Sequence, residues 1–265
     1  MRFGHEIFYR RRRRFGAGGG AGGGLASGEV GDESGTKYGF SDFSEFSIGA
    51  GLPSGLTLSG TVGNRPSTIA VADGGAEGNI ITFDGHSGSG RWGMQIDAFD
   101  GLISQGEVLA RVWIPLGVDA GSRQLAPAMN ISGSTFATWD VTFGTMIKQA
   151  GTQQSFIAYY TNGSGGELAV ANMQETAQVG VYAWVRFRKM PNAGTPTNDD
   201  KHVKTWFGGI GDEPAGWDTT ITNGTPHNRT LGGVGVAVMF SEGDQLRVGY
   251  VSFTGDPSVI APPVP

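Results

Sequence analysis

Cysteine is absent from the 265 residues, so disulfides and thiol chemistry are both excluded. Charge is sparse, with Asp, Glu, Lys and Arg together making up 16 % of the chain. No apolar run approaches the roughly 18 residues that a membrane span requires. The first residues carry positive charge but no apolar stretch of the kind a secretory signal needs. An amphipathic transit peptide is disfavoured as well, because glycine follows the arginines where helix formers are expected. The four histidines, His5, His86, His202 and His227, are scattered without metal-ligand spacing. No glycine-rich phosphate loop lies between a strand and a helix, which argues against nucleotide binding.

Glycine is what the chain has in excess. Its 47 residues are about 18 % of the total, against a usual share of about 7 %. Only residues 16–24 are low in complexity; the other glycines stand singly or in pairs between apolar stretches, where turns need them. Four parts follow from this. Residues 1–24 are an arm that is first aromatic and basic, then a glycine tether; residues 25–37 are a linker. Residues 38–257 read as folded, and residues 258–265 are a proline-rich tail. The net charge of −5 hides an asymmetry: Arg2 and Arg10, Arg11, Arg12, Arg13 and Arg14 face only Glu6 within the arm. The remainder holds 13 basic and 23 acidic residues, a balance of −10. An acidic body with a basic leader argues against a nucleic-acid-binding domain, which would spread positive charge over a folded face.

Within 38–257 the apolar residues alternate with period two. Val108, Ala110, Val112 and Ile114 share one face, with Leu109, Arg111 and Trp113 on the other. Val181, Ala183, Val185 and Phe187 alternate with Tyr182, Trp184, Arg186 and Arg188. Val234, Val236, Val238 and Phe240 define a third face. In a fourth segment Leu246, Val248 and Tyr250 oppose Val251 and Phe253, which predicts a central strand. Further strands are expected over 79–83, 92–96, 140–150, 155–160, 167–172 and 202–207. Asp100-Gly101, Asn162-Gly163, Asn223-Gly224 and Gly243-Asp244 supply turns. Ten or more short strands without a helical period predict an all-β, two-sheet antiparallel jelly-roll sandwich with an extended N-terminal arm.

Several segments also look familiar. Val181-Tyr182-Ala183-Trp184-Val185-Arg186-Phe187-Arg188 is followed by Val203-Lys204-Thr205-Trp206 and then by Asp212-Glu213-Pro214-Ala215-Gly216-Trp217. Near the start stand Asp42-Phe43-Ser44-Glu45-Phe46 and Gly51-Leu52-Pro53, and near the end Thr254-Gly255-Asp256-Pro257. Together, over residues 38–257, they resemble the concanavalin A-like (LamG-like) jelly-roll modules of phage virion structural proteins. That resemblance implies a jelly roll and a place on a virion exterior, and the missing secretory and transit signals add the expectation of assembly in the host cytoplasm. It names no ligand, because this fold hosts lectins, glycanases, lyases and spacers alike.

Catalysis finds little support. Glycanases of this fold flank the scissile bond with two carboxylates on one strand. Glu242 and Asp244 have the spacing, but the intervening glycine reads as a turn; Asp97 and Asp100 read as strand-end and turn residues. His202 lies near Lys201 and Lys204, as a lyase base would, but reads more simply as the solvated start of a strand after the polar segment 192–200.

Sugar contact needs an aromatic face with amides or carboxylates nearby. Trp184 and Trp206 alternate with polar neighbours on adjacent expected strands, which predicts an exposed or semi-exposed stripe; Trp217 is the best single stacking residue. The simpler reading is that these rings close the ends of the sandwich. No cofactor is expected. The fold is compatible with a structural Ca²⁺ held by loop carboxylates such as Asp84, Asp97 or Asp256, although no dense oxygen-ligand loop is present.

The arm has two readings. Five consecutive arginines bind nucleic acid or anionic membrane by charge alone. Alternatively Phe3, Phe8, Tyr9 and Arg10, Arg11, Arg12, Arg13 and Arg14 form a docking peptide for another virion protein, aromatic and Arg side chains being the usual interface anchors. Docking is preferred, since five charges are a small footprint for packaging DNA. The resulting expectation is a virion structural protein, as tail fibre, spike, baseplate or capsid decoration. It is anchored by its arm, homo-oligomeric (a trimer first), and displays a sandwich towards host polysaccharide. A polysaccharide depolymerase and a freestanding lectin are the competing readings.

Overall fold

The computed structural model describes residues 29–31, 37–41, 43–44, 46–60, 65–84, 92–96, 105–114, 125–132, 140–149, 152–161, 164–174, 176, 178–224, 232–238 and 245–254. Among the described residues sixteen antiparallel strands, numbered along the chain, fall into two sheets. The nine-stranded sheet runs β1 (Glu29–Gly31), β2 (Lys37–Ser41), β16 (Leu246–Thr254), β7 (Gly106–Ile114), β12 (Val181–Pro191), β13 (Asp199–Phe207) and β14 (Thr219–Gly224). A hairpin of β4 (Thr68–Asp73) and β5 (Asn79–Asp84) takes the half of the β16 edge that β2 leaves open. The seven-stranded sheet runs β11 (Ser164–Asn172), β10 (Thr152–Thr161), β9 (Asp140–Gln149), β8 (Ala126–Ser132), β15 (Gly233–Val238), β6 (Trp92–Ile96) and β3 (Leu56–Gly60).

The chain changes sheet at β6–β7–β8 and again at β14–β15–β16. Because β7 pairs with β16 and β8 with β15, these two crossovers lie side by side as a wound ribbon. That winding makes a jelly roll, the architecture expected from the sequence. Among the described residues no helix is long and apolar enough to cross a membrane. The arm, residues 1–24, lies outside the described residues.

The core follows the alternation. Val108, Ala110 and Val112 of β7, with Ala183, Val185 and Phe187 of β12, point inward. They meet Trp92, Met94, Met129, Ile157, Val234 and Val236 of the facing sheet. Each such side chain contributes about 1.5–3 kcal/mol by leaving water. Gly144 sets the spacing where β9 crosses β12 and β13, since a Cβ there would lie 2.8 Å from Phe187 Cδ2 and 2.9 Å from Val203 Cβ.

One face assignment is corrected. Leu246, Val248, Val251 and Phe253 all enter the inter-sheet core, whereas Tyr250 packs with Trp184 and Trp206 on the far side of the nine-stranded sheet. A register shift between Val248 and Tyr250 reverses the alternation part-way along β16. Asn223 and Gly224, expected as a turn, are the last residues of β14.

Candidate functional site

The outer face of the nine-stranded sheet collects most of the described chemistry-bearing side chains. Pairing places Trp184 opposite Trp206 and Arg111, Arg186 opposite Lys204, Arg188 opposite Glu107 and His202, and Tyr182 opposite Trp113. Residues 208–218, which leave β13 and lead into β14, fold back over part of this face. Gly208 begins the reversal at φ +92°, a conformation that strains any residue with a Cβ. Asp212 Oδ2 then accepts from Gly209 N at 2.8 Å. Asp218 closes the far end, its carboxylate accepting from the backbone N–H of Thr205 at 2.8 Å and of Gln174 at 3.0 Å.

The middle of this strap is fastened by charge. Glu213 accepts from Arg186 Nη2 at 2.7 Å and pairs with Lys204 Nζ at 2.6 Å, while Lys204 also donates to Pro214 O at 2.8 Å. Beneath it Glu107, fully buried, receives both Arg186 and Arg188. Burial works to raise the Glu213 carboxyl, but hydrogen bonds from Arg186 and Lys204 outweigh it and hold the group below its ordinary 4.5.

The expected aromatic stripe therefore needs correction. Trp184 and Trp206 do share a face on adjacent strands, and stack with centroids 6.2 Å apart and planes 17° from parallel. They are not exposed: Trp184 retains 5 % of its surface and Trp206 none. Ile210 of the strap packs on them, Trp206 Nε1 donates to Gly209 O at 3.1 Å, and Tyr250 closes the side at 5.5 Å from Trp184. Alternation reveals which residues share a face, and says nothing of a loop folding over that face. The rings sit on the sheet rather than at the sandwich ends.

Trp217, in the strap, is half-buried. Its ring is held against the Lys204 ammonium at 4.8 Å, the Arg188 guanidinium at 5.0 Å and the His202 ring at 5.2 Å. His202 is half-buried here rather than solvated, with Nδ1 at 3.3 Å from Thr220 Oγ1. Burial, then the nearby Arg188, lower its pKa from the ordinary 6.5 against the pull of Asp200. Lys201, its neighbour in sequence, is buried on the opposite face, so only Lys204 joins His202 beside Trp217.

An open site lies next to the covered stack. A cleft of about 400 Å³ runs between the β4–β5 turn and the start of the strap, lined by Glu77, Arg111, Trp113, Tyr182, Gln178 and Gly208 among others. Trp113 and Tyr182 meet edge to face at 5.2 Å and form its aromatic wall. The tight turn at residues 74–78, closed by Gly74 N donating to Gly78 O at 2.8 Å, aims Glu77 at β7. There both carboxylate oxygens accept from Arg111, through Nε and Nη2, at 2.8 Å each. Arg111 Nη1 donates to Gly208 O at 2.9 Å, and its guanidinium lies 5.1 Å from the Trp184 ring. The pair is thus oriented from three sides. Burial raises the Tyr182 hydroxyl above its ordinary 10.0, with the Arg247 guanidinium opposing.

This combination of aromatic wall, fixed polar pair and amide is what a sugar ring and its hydroxyls require. Sequence reading missed it. Arg111-x-Trp113 and Tyr182-x-Trp184 carried the signal in their spacing, but Glu77 comes from a turn 34 residues before its partner.

The other expected site residues divide as follows. Asp84 accepts from Gln245 Nε2 at 2.5 Å, while Asp97 and Asp256 lie outside the described residues. Among the described residues no cluster of three His, Asp or Glu is placed to hold a metal ion. Phe3, Phe8, Tyr9 and Arg10 through Arg14, together with Glu242 and Asp244, also lie outside them.

No known protein family matches the chain, and none of the curated proteins does. Among solved structures, a protein of unknown function from Shewanella oneidensis is 10 % identical at a TM-score of 0.49, covering 87 % of this chain and 88 % of its own. The carbohydrate-binding module CBM66 from Bacillus subtilis is 11 % identical at 0.36, covering 76 % and 92 %. A GH43 protein from Bacillus licheniformis is 11 % identical at 0.39, and this chain, matched over 82 % of its length, spans 39 % of that one. At these scores the likeness carries no functional argument, and the site must be read from its own residues.

Proposed function

We propose that this chain is a carbohydrate-binding sandwich displayed on the exterior of a phage particle, docked by its N-terminal arm and touching host-surface polysaccharide through the outer face of its nine-stranded sheet. The observation that carries the sugar reading is the open cleft: Trp113 and Tyr182 form a wall, and Glu77 and Arg111 form a fixed hydrogen-bonding pair inside it. The virion reading is supported by the sequence resemblance and by the basic, aromatic arm on its glycine tether. Single contacts in so open a cleft are weak, and repetition on a particle, as in a trimeric fibre, converts them into useful avidity. The depolymerase alternative requires two carboxyl groups about 5–9.5 Å apart across the bond. Among the described residues Glu77 is the single carboxylate lining this cleft, and Arg111 holds both of its oxygens.

The test is a panel of neutral and acidic polysaccharides offered to the full-length protein and to Trp113→Ala. The expected outcome is binding by the first that falls at least about tenfold in the second. Unchanged binding in Trp113→Ala contradicts the cleft. Deleting residues 1–24 is expected to abolish particle incorporation while leaving sugar binding intact, and incorporation without the arm contradicts docking.

A further inference from the structure

The cationic side chains on the outer face of the nine-stranded sheet are mostly matched by carboxylates. Arg111 has Glu77, Arg186 has Glu107 and Glu213, Arg188 has Glu107, and Lys204 has Glu213. Arg247, on β16 beside the cleft, is the exception among the described residues. Its Nε donates to Gln245 Oε1 at 2.9 Å, and Gln245 is anchored in turn by donating to Asp84. Its guanidinium lies 4.7 Å from the centroid of Trp113, with Tyr182 nearby. A neutral amide therefore aims the charge, and an indole face supports it, without either neutralising it. A guanidinium so placed is a planar fork suited to a carboxylate or sulfate.

Electrostatics point the same way. Glu77 and Arg111 pair with each other, so among the described side chains around the wall of Trp113 and Tyr182, Arg247 is the cation with no carboxylate in direct contact, on a chain whose net charge is −5. An acidic body repels polyanions everywhere except where a cation is exposed to them. Resting on the cleft reading, we infer that the sugar taken here is acidic, a uronate or sulfated residue whose anion meets Arg247 while its ring occupies the cleft lined by Trp113 and Tyr182.

The experiment measures binding of the full-length protein to four polymers: polygalacturonate, its carboxyl-reduced form, dextran sulfate and dextran. At least one charged polymer is expected to bind about tenfold or more tightly than its neutral counterpart, and which one it is separates carboxylate from sulfate. Arg247→Gln is expected to abolish that difference while leaving neutral binding in place. Equal binding of charged and neutral polymers by the wild-type protein, or a preference that survives in Arg247→Gln, overturns the inference and leaves the cleft reading standing. Binding of no polymer, or binding untouched by Trp113→Ala, overturns the cleft reading and this inference with it. Should Arg247→Gln fail to fold, the salt dependence of the wild-type protein decides. A charged-polymer preference that vanishes at about 1 M salt supports the inference, and one that persists undiminished there overturns it.

Discussion

Two aromatic groups share the outer face of one sheet and meet opposite fates. Trp184, Trp206 and Tyr250 are roofed by the strap and excluded from water, whereas Tyr182, two residues before Trp184 on β12, and its neighbour Trp113 on β7 wall an open cleft. What separates them is Arg111, which reaches Gly208 at the start of the strap on one side and Glu77 on the other. The covered group stabilises the fold, and the open one is left to meet a ligand. Aromatic content alone does not mark a binding site; the accessibility of the ring decides.

The comparison is broken most sharply through stability. Trp206→Ala is expected to cost about 3–5 kcal/mol in urea unfolding, whereas Trp113→Ala, at the rim, costs far less and acts on binding. Glu107→Ala is expected to cost a similar 3–5 kcal/mol or so, because it strands Arg186 and Arg188 without their buried partner. Gly144→Ala follows at about 1–3 kcal/mol, by forcing the two sheets apart against Phe187 and Val203.

Glu213→Gln is expected to cost about 1 kcal/mol, less than Glu107 because its side chain retains 24 % exposure. Its sign with pH is fixed: the folded carboxyl titrates below its ordinary 4.5, so its contribution is complete above that pH and lost as pH falls through the lower folded value. The Glu213→Gln variant should therefore show a shallower acid limb. His202 adds the smallest effect. Its folded pKa lies below 6.5, so the unfolded chain takes the proton first and stability declines as pH falls from there towards the folded value; His202→Gln should flatten that stretch.

Much of the fold is legible in the sequence because β7 and β12 alternate without interruption, so period two alone puts Trp113, Tyr182 and Trp184 on the face away from the core. Where local pattern fails, the cause is identifiable. β8 escapes detection because Ala126-Pro127-Ala128 offers short side chains and a proline in place of a strand signal. The faces of β16 are misread because its register shifts beside Gly249. The candidate site is less legible still. Its roof and its acid come from contacts such as Arg186 to Glu213 and Arg111 to Glu77, 27 and 34 residues apart, which no two-residue period encodes.

The most direct measurement follows the tryptophan indole N–H signals in an NMR spectrum while an acidic oligosaccharide such as oligogalacturonate is added. The account predicts that the Trp113 signal moves with ligand while that of Trp206, donating to Gly209 beneath the strap, stays in place. Movement of Trp206 or Trp217 with Trp113 unchanged would contradict it.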